Sequence, residues 1–246
     1  MQLQLSTWPE VEAYLKTSRG VIMPIGSTEQ HGPNGLIGTD AQCAEGIARG
    51  VGDRTGALVG PTIGVGMAHH HMTFPGSMTL KPSTLVLVIR DYVTSLAEHG
   101  FDRFMFVNGH GGNIPTIQAA FYEIYADMRA LGLPPVHCRL VNWWDNAGVD
   151  ALSKELYGAA DGSHATASEV AVTQYLFPDH IKKADLNPPI APSSHFYDAA
   201  DYRRRFPDGR IGSNPGLATP EHGKRFYDAA VEAISATYAE FLAEAV

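Results

Sequence analysis

Short apolar runs and longer amphipathic stretches alternate along the chain. Residues 20–25 form an unbroken apolar run that stops at Gly26, the pattern of a strand buried on both faces. Residues 57–59, 101–107 and 136–141 also read as strands. Between them, apolar positions recur at helical spacing. Ala41, Ala44, Ile47 and Ala48 make one stripe in residues 39–50. Leu85, Val88, Ile89, Val93 and Leu96 make another in residues 82–99, opened by Pro82 and closed by Gly100. Residues 115–131 read as a helix stopped by Gly132, residues 165–177 as one stopped by Pro178, and residues 219–246 as a long final helix. Thr7-Trp8-Pro9-Glu10 reads as a capped helix start.

Strand and helix in this repeated order predict an α/β fold. We expect a single three-layer α/β/α domain over residues 1–246, built on a mainly parallel sheet. Residues 186–220 break the pattern. They are rich in Pro, Asp, Arg and Gly and longer than an ordinary loop, which suggests a functional excursion or a subunit contact.

Composition narrows the class. Hydrophobic residues at 44% and charged residues at 18% describe a globular chain, not a disordered one. Eighteen Lys+Arg against 26 Asp+Glu leave a net charge of −8, which argues against nucleic acid or an anionic membrane as partner. Cys43 and Cys138, the two cysteines, cannot make a disulfide framework and read as thiols in a reducing compartment. The first residues lack the basic and apolar regions of a secretory signal. No apolar run approaches the roughly 20 residues of a membrane span. A soluble cytoplasmic protein is the expectation. The eleven histidines stand out, three of them consecutive at His69, His70 and His71.

Three segments carry candidate chemistry. Gly26-Ser-Thr-Glu29-Gln-His31-Gly-Pro, followed by Gly38-Thr-Asp40, comes directly after the first strand, where loops at the carboxyl ends of parallel strands build active sites. Glu29 and His31 are two apart, so in an extended segment they point the same way. Asp40 opens the next helix, where capping is its ordinary use. Val107-Asn-Gly-His110-Gly-Gly-Asn113 also links strand to helix. It lacks G-x-G-x-x-G and any Lys-Ser/Thr after the glycines, so a nucleotide site is not supported. Its glycines let the backbone turn tightly around His110. Gly162-Ser-His164-Ala-Thr-Ala-Ser-Glu169 places Glu169 in the early turns of a helix, where a dipole partner is the ordinary reading.

Together these segments supply Glu, His, Asp, His and Glu. Imidazole and carboxylate suit Zn²⁺, Mn²⁺ or Fe²⁺. Five such groups are too many for one structural zinc. Two metals bridged by a carboxylate, which sit about 3.5–4 Å apart in hydrolytic sites, use the inventory well.

The phrases Pro24-Ile-Gly-Ser-Thr-Glu-Gln-His-Gly, Gly38-Thr-Asp, Phe74-Pro-Gly-Ser-Met-Thr-Leu80, Asn108-Gly-His-Gly-Gly-Asn and Ala218-Thr-Pro-Glu-His-Gly223 resemble the creatininase family, the creatinine amidohydrolases and their relatives. The likeness runs from about residue 8 to the C-terminus. It implies two divalent metal ions per subunit, zinc, manganese or iron. Glu29, Asp40 and His110 would hold one; His31, Asp40 and a glutamate would hold the other. In creatininases that glutamate lies two residues after the Asn-Gly-His histidine, where this chain has Gly112. Relatives with the Asn-Gly-His-Gly-Gly-Asn form take it from a later segment, where this chain has Glu169. His164 matches the family's proton-shuttling histidine. His71 matches a histidine near substrate, and Trp144 one of the family's tryptophans.

Three departures bear on substrate. The tyrosine after Asn-Gly-His is Gly111 here, a substrate-stacking tryptophan is Ala160, and the first glutamate of the His-Ala-Gly-Glu segment is missing from His164-Ala-Thr-Ala. The resemblance implies an amidohydrolase cleaving a non-peptide C–N bond, a cyclic amide or a formamide, in a small-molecule substrate. It also implies a homo-oligomer, a hexamer. The rival readings are a lactone or ring-opening hydrolase on the same metal site, and a non-catalytic metal-binding protein.

Overall fold

The apolar runs become four parallel strands in the computed structural model, which describes residues 1–244. In chain order the strands are β1 (Gly20–Ile25), β2 (Leu58–Val59), β3 (Arg103–Asn108) and β4 (His137–Asn142). Their order across the sheet is β2-β1-β3-β4. The register pairs Ile25 with Asn108 and Asn108 with Asn142, so three strands end level at one rim. The chain leaves β1 for β2 on one side and returns to β3 on the other. That reversal opens a crevice at the carboxyl ends of β1 and β3.

Period-two alternation divides the strands between two cores. Ile22, Met105 and Val107 face α2 (Thr39–Thr55), α5 (Ala147–Leu156), α6 (Ala167–Leu176) and α8 (Pro220–Ala243). There they pack with Cys43, Ile47, Val149, Val172 and Phe226. Val21, Met23, Ile25, Phe104 and Phe106 face α1 (Trp8–Tyr14), α3 (Pro82–Glu98) and α4 (Ile114–Leu131), against Leu85, Ile89, Ile117 and Ile124. Burial of both faces of β1 is why it reads as a continuous apolar run, whereas β4 is half-buried and carries His137 and Arg139. The expected three-layer α/β/α arrangement is the one found.

The structure extends or moves several predicted helices. α2 runs on to Thr55 and closes on Gly56, whose φ is 75°. Gly50 and Gly52 hide this extension from a sequence reading. A Cβ on Gly50 would lie 2.2 Å from the Tyr227 hydroxyl and one on Gly52 2.6 Å from a Val59 methyl, so both are glycine for close packing. α6 begins two residues later than expected, because Ala165 takes φ 51°, outside helical geometry. α5, capped by Asn146, and α7 (Ala199–Arg205), capped by Asp198, were not anticipated. The final helix is seen as far as Ala243; the last two residues of its predicted span, 245–246, lie outside the described residues. Among the described residues no helix is long and apolar enough to cross a membrane.

Residues 186–220 fold back over the crevice. Phe196, Tyr202, Phe206 and Ile211 pack with Phe74 as a third apolar cluster. The fully buried Arg210 guanidinium donates to the carbonyls of Pro188, Pro189 and Ser213 at 2.8, 2.7 and 3.1 Å, and pairs with Asp208. A buried cation satisfied by carbonyls organises this segment in place of a periodic stripe.

The Ala218-Thr-Pro-Glu-His-Gly223 phrase has a structural use. The Thr219 side chain caps α8, with Pro220 as its first residue. A Cβ on Gly223 would lie 1.9 Å from the Ala171 carbonyl oxygen on α6. We expect Gly223→Ala to push α6 and α8 apart and lower stability by about 1–3 kcal/mol. Urea unfolding measures it, and an unchanged midpoint would show that the crossing is looser than this.

Candidate metal centre

The level rim delivers the predicted residues to one place. Glu29 and His31 lie on the loop after β1, Asp40 in the first turn of α2, His110 on the turn after β3, and Glu169 in the first turn of α6. Two glycines make the approach possible. A Cβ on Gly109 would lie 2.0 Å from the Asp40 carbonyl oxygen, and one on Gly26 2.4 Å from the Ala41 nitrogen. The turn after β3 thus presses directly on the start of α2.

Hydrogen bonds aim the histidine lone pairs. The outer nitrogen of His31, Nδ1, lies 3.1 Å from the Glu29 carbonyl oxygen and donates to it. Its Nε2 is left facing Asp40 Oδ1 at 3.0 Å and Glu169 Oε2 at 3.8 Å. His110 Nε2 donates to the Met67 carbonyl at 3.0 Å. Its Nδ1 faces Asp40 Oδ2 at 3.1 Å and Glu29 Oε1 at 3.3 Å. Glu29 Oε1 and Asp40 Oδ2 are buried and have no hydrogen-bond partner. Nitrogen lone pair therefore faces carboxylate lone pair, an arrangement that a cation between them relieves. Ligand atoms within 4.8 Å of one another group as Glu29, Asp40 and His110, as His31, Asp40 and Glu169, and as Glu29, His31 and His164. Asp40 belongs to the first two groups, and the chemistry of these donors fits divalent cations.

The protonation energetics describe the same demand for positive charge. Burial opposes charging His31, but Asp40, Glu169 and Glu29 outweigh it and raise its pKa to about 10. Burial likewise opposes charging His110, and Glu29 with Asp40 raise it to about 9. Burial pushes the Asp40 carboxyl up, yet the His31 and His110 rings hold it well below the usual carboxylate range. Glu169 rises to about 7, mainly through burial and against the pull of His31. Without a cation, the site satisfies its carboxylates by protonating imidazoles.

Glu169 divides its two oxygens between the start of α6 and the cluster. Its Oε1 accepts from the Thr166 N–H at 2.5 Å while Thr166 Oγ1 accepts from the Glu169 N–H at 3.2 Å, a capping box. Its Oε2 is free to face His31. The loop leaves no room for a side chain at position 112: a Cβ there would lie 2.4 Å from His110 Nε2 and 2.8 Å from the Met67 carbonyl.

Beside these residues lies a pocket of about 360 Å³ lined by His110, Gly111, Trp144, Ser163, His164 and Glu169 among others. Trp144 is half-buried on its wall. His164 turns Nδ1 toward Glu29 Oε1, 3.8 Å away, and burial together with the His71 and His31 rings holds its pKa well below the usual value. His71 is buried behind Glu29, with Nε2 3.0 Å from Oε1.

Sequence reasoning missed the supports. Ser27 Oγ donates to Glu29 Oε2 at 2.7 Å. Asn108 accepts from the His110 N–H and donates to its carbonyl. Asn113 donates to the Gly26 carbonyl at 2.9 Å and accepts from the Met67 N–H at 2.9 Å, tying three loops together. The Phe74–Leu80 phrase steadies the Glu29 loop, Met78 N–H donating to the Thr28 carbonyl and Gln30 N–H to Ser77 Oγ. The motif phrases contained these side chains, but local spacing carries no sign of such long-range bonds.

A family model described as creatininase, creatinine amidohydrolase, matches residues 4–238. The chain is 27% identical to the mycofactocin precursor peptide peptidase of Mycobacterium ulcerans, over 90% of this chain and 81% of that one. It is 26% identical to the creatinine amidohydrolase of Pseudomonas putida, over 93% and 92% of the two chains. A solved structure described as creatininase Mn superposes with a TM-score of 0.86 at 25% identity, covering 99% of both chains.

Adjacent glycines should respond differently to a methyl group. A Cβ on Gly111 meets nothing within 4 Å, whereas one on Gly112 collides with His110. Gly111→Ala should stay within about 0.5 kcal/mol of the parent. Gly112→Ala should lose about 1–3 kcal/mol and bind divalent metal more weakly. Thermal unfolding with and without added metal checks both, and equal behaviour of the two variants would remove the steric account of position 112.

Proposed function

The chain belongs to the creatininase family and is a metal-dependent hydrolase of carbon–nitrogen bonds; from that premise we propose that it cleaves a non-peptide amide, a cyclic amide or formamide, at a dinuclear centre. Glu29, Asp40 and His110 would hold one divalent ion, and His31, Asp40 and Glu169 the other, with residues 1–246 acting as one domain. The observation that carries this reading is the sharing of Asp40 between two ligand groups, each of its oxygens facing a different imidazole. When bound, the two ions, zinc, manganese or iron, supply Lewis acidity to a water and to the scissile carbonyl.

The remaining chemistry falls to the chain. Met67 and the Glu29 carbonyl orient the two imidazoles, and His71 and Ser27 hold the Glu29 carboxylate. His164 Nδ1, at the pocket edge, is placed to accept a proton from the attacking water and pass it to the leaving nitrogen.

The pocket suits a small, neutral, polar substrate. None of the residues lining it is lysine or arginine, and Ser163, Thr166 and Ser168 contribute hydroxyls. Trp144 offers one flat wall, and the space at Gly111 is open. That open space, with the peptide peptidase relative, favours a second reading in which the substrate is a longer, peptide-derived amide. Exposed Ile190 and Tyr197 on the 186–220 segment are the surface through which a homo-oligomer, a hexamer by family likeness, would form.

The ligand assignment separates three variants. Asp40→Ala should lose both ions by elemental analysis. Glu169→Gln should weaken one ion and keep the other, with little loss of stability because the amide oxygen still caps α6. His164→Ala should keep both ions and lower kcat by about 10²–10⁴. Two tight sites in Glu169→Gln would overturn the reading.

Creatinine should be turned over poorly. Each absent aromatic wall is worth about 0.5–1.5 kcal/mol, so two cost roughly tenfold to a hundredfold in affinity. A panel of lactams, formamides, lactones and short peptide amides tests this, and creatinine as the best substrate would sink it.

A further inference from the structure

Gln30 stands between two candidate ligands, yet its side chain points away from them. In the extended loop Glu29 and His31 face the centre, and Gln30 faces the 186–220 segment. Its amide is buried and its orientation is determined. Oε1 lies 2.9 Å from the Gly32 nitrogen and accepts its N–H. Nε2 lies 2.9 Å from the Gly209 carbonyl oxygen, which can only accept. An amide nitrogen carries two hydrogens, and Gly209 takes one. Two imidazole nitrogens stand close enough to take the other, His71 Nδ1 at 2.9 Å and His164 Nε2 at 2.8 Å.

The neighbouring groups decide between them. His71 Nε2 lies 3.0 Å from Glu29 Oε1, so a proton on Nε2 faces a carboxylate whereas one on Nδ1 would face the amide nitrogen, and His71 Nδ1 is the acceptor. His164 Nε2 also lies 2.9 Å from the Gln30 backbone carbonyl. If it accepted from the amide, its lone pair would face that oxygen. If it carries a proton, it donates to the oxygen, and only the contact with the amide nitrogen is unfavourable.

We propose that Gln30 is a positioning residue that sets the tautomer of His164. The Gln30 amide donates to Gly209 and to His71, and its backbone carbonyl accepts the His164 Nε2–H. His164 Nδ1 is thereby left without a proton and faces the pocket. One peptide unit and its side chain hold both histidines and latch the 186–220 segment to the loop that carries Glu29 and His31. Tyr202 strengthens the latch, its hydroxyl donating to the same Gly209 carbonyl at 2.7 Å. Position 209 has no room for a side chain: a Cβ there would lie 1.8 Å from Gln30 Oε1.

This assignment rests on His164 being the proton-transfer residue, and the test separates the two. Nitrogen NMR of histidine-labelled, zinc-loaded protein, with His164→Ala used for assignment, reads the tautomer directly. The native protein should show His164 protonated at Nε2 alone. A native His164 protonated at Nδ1 overturns the proposal without recourse to any variant of Gln30. Gln30→Met, close in shape but without an amide, should leave His164 protonated at Nε2, because the backbone carbonyl remains, while His71, assigned through His71→Ala, loses the donor to its Nδ1 and becomes a mixture of tautomers, with zinc stoichiometry unchanged. A native His71 tautomer in Gln30→Met, or a His164 protonated at Nδ1 there, would also overturn it. If His164→Ala retains full kcat, the proton-transfer reading fails, while the tautomer measurement still decides the role of Gln30.

Discussion

Burial of two carboxylates at one rim, with a third half-buried beside them, is the constraint around which the rest of the molecule is arranged. Glu29 and Asp40 are buried, and the partly exposed Glu169 turns one oxygen toward the same place. An uncompensated buried charge costs several kcal/mol, so the arrangement needs positive charge at its centre. Imidazoles protonated well above their ordinary range answer that need in the free chain, and divalent ions answer it better. The same demand explains why each imidazole has its outer nitrogen tied to a carbonyl. The tie orients the ring and leaves the inner lone pair with a cation as its natural partner.

Close packing of backbone makes the convergence possible. Glycines at the ends of β1 and β3 bring Asp40 within reach of both strand-end loops, and the asparagines flanking the His110 turn hold those loops in register. The level ends of β1, β3 and β4 set the depth at which the side chains meet. Shifting any one strand by a residue would invert its faces and remove its contribution.

The 186–220 segment is a wall of the site as well as a surface. A fully buried guanidinium, a small aromatic cluster and the contact between Gln30 and Gly209 hold it over the histidines. Chemistry and cover are therefore mechanically continuous. A disturbance at the cover reaches His71 and His164 through one amide, without passing through the candidate ligands.

Much of this was readable from the chain alone. Apolar runs of strand length separated by helical stripes define the α/β/α layering, because burial on both faces leaves no alternative pattern for a parallel strand. Glu29, His31, Asp40, His110, His164 and Glu169 were identifiable because each lies in a short motif beside a strand end or helix start. Local patterns could not show how they meet. The extent of α2 was hidden by glycines whose purpose is contact with residues far along the chain. The start of α6 depended on one left-handed alanine. Glu169 looked like either a cap or a ligand, and only the fold gives one oxygen to each role. Gln30 carried no local signal, since its partners at positions 71, 164 and 209 are remote in sequence. What the sequence determined was which groups sit at the strand ends. What tertiary structure decided was the direction of each lone pair, because that depends on carbonyls and amides brought from other parts of the fold.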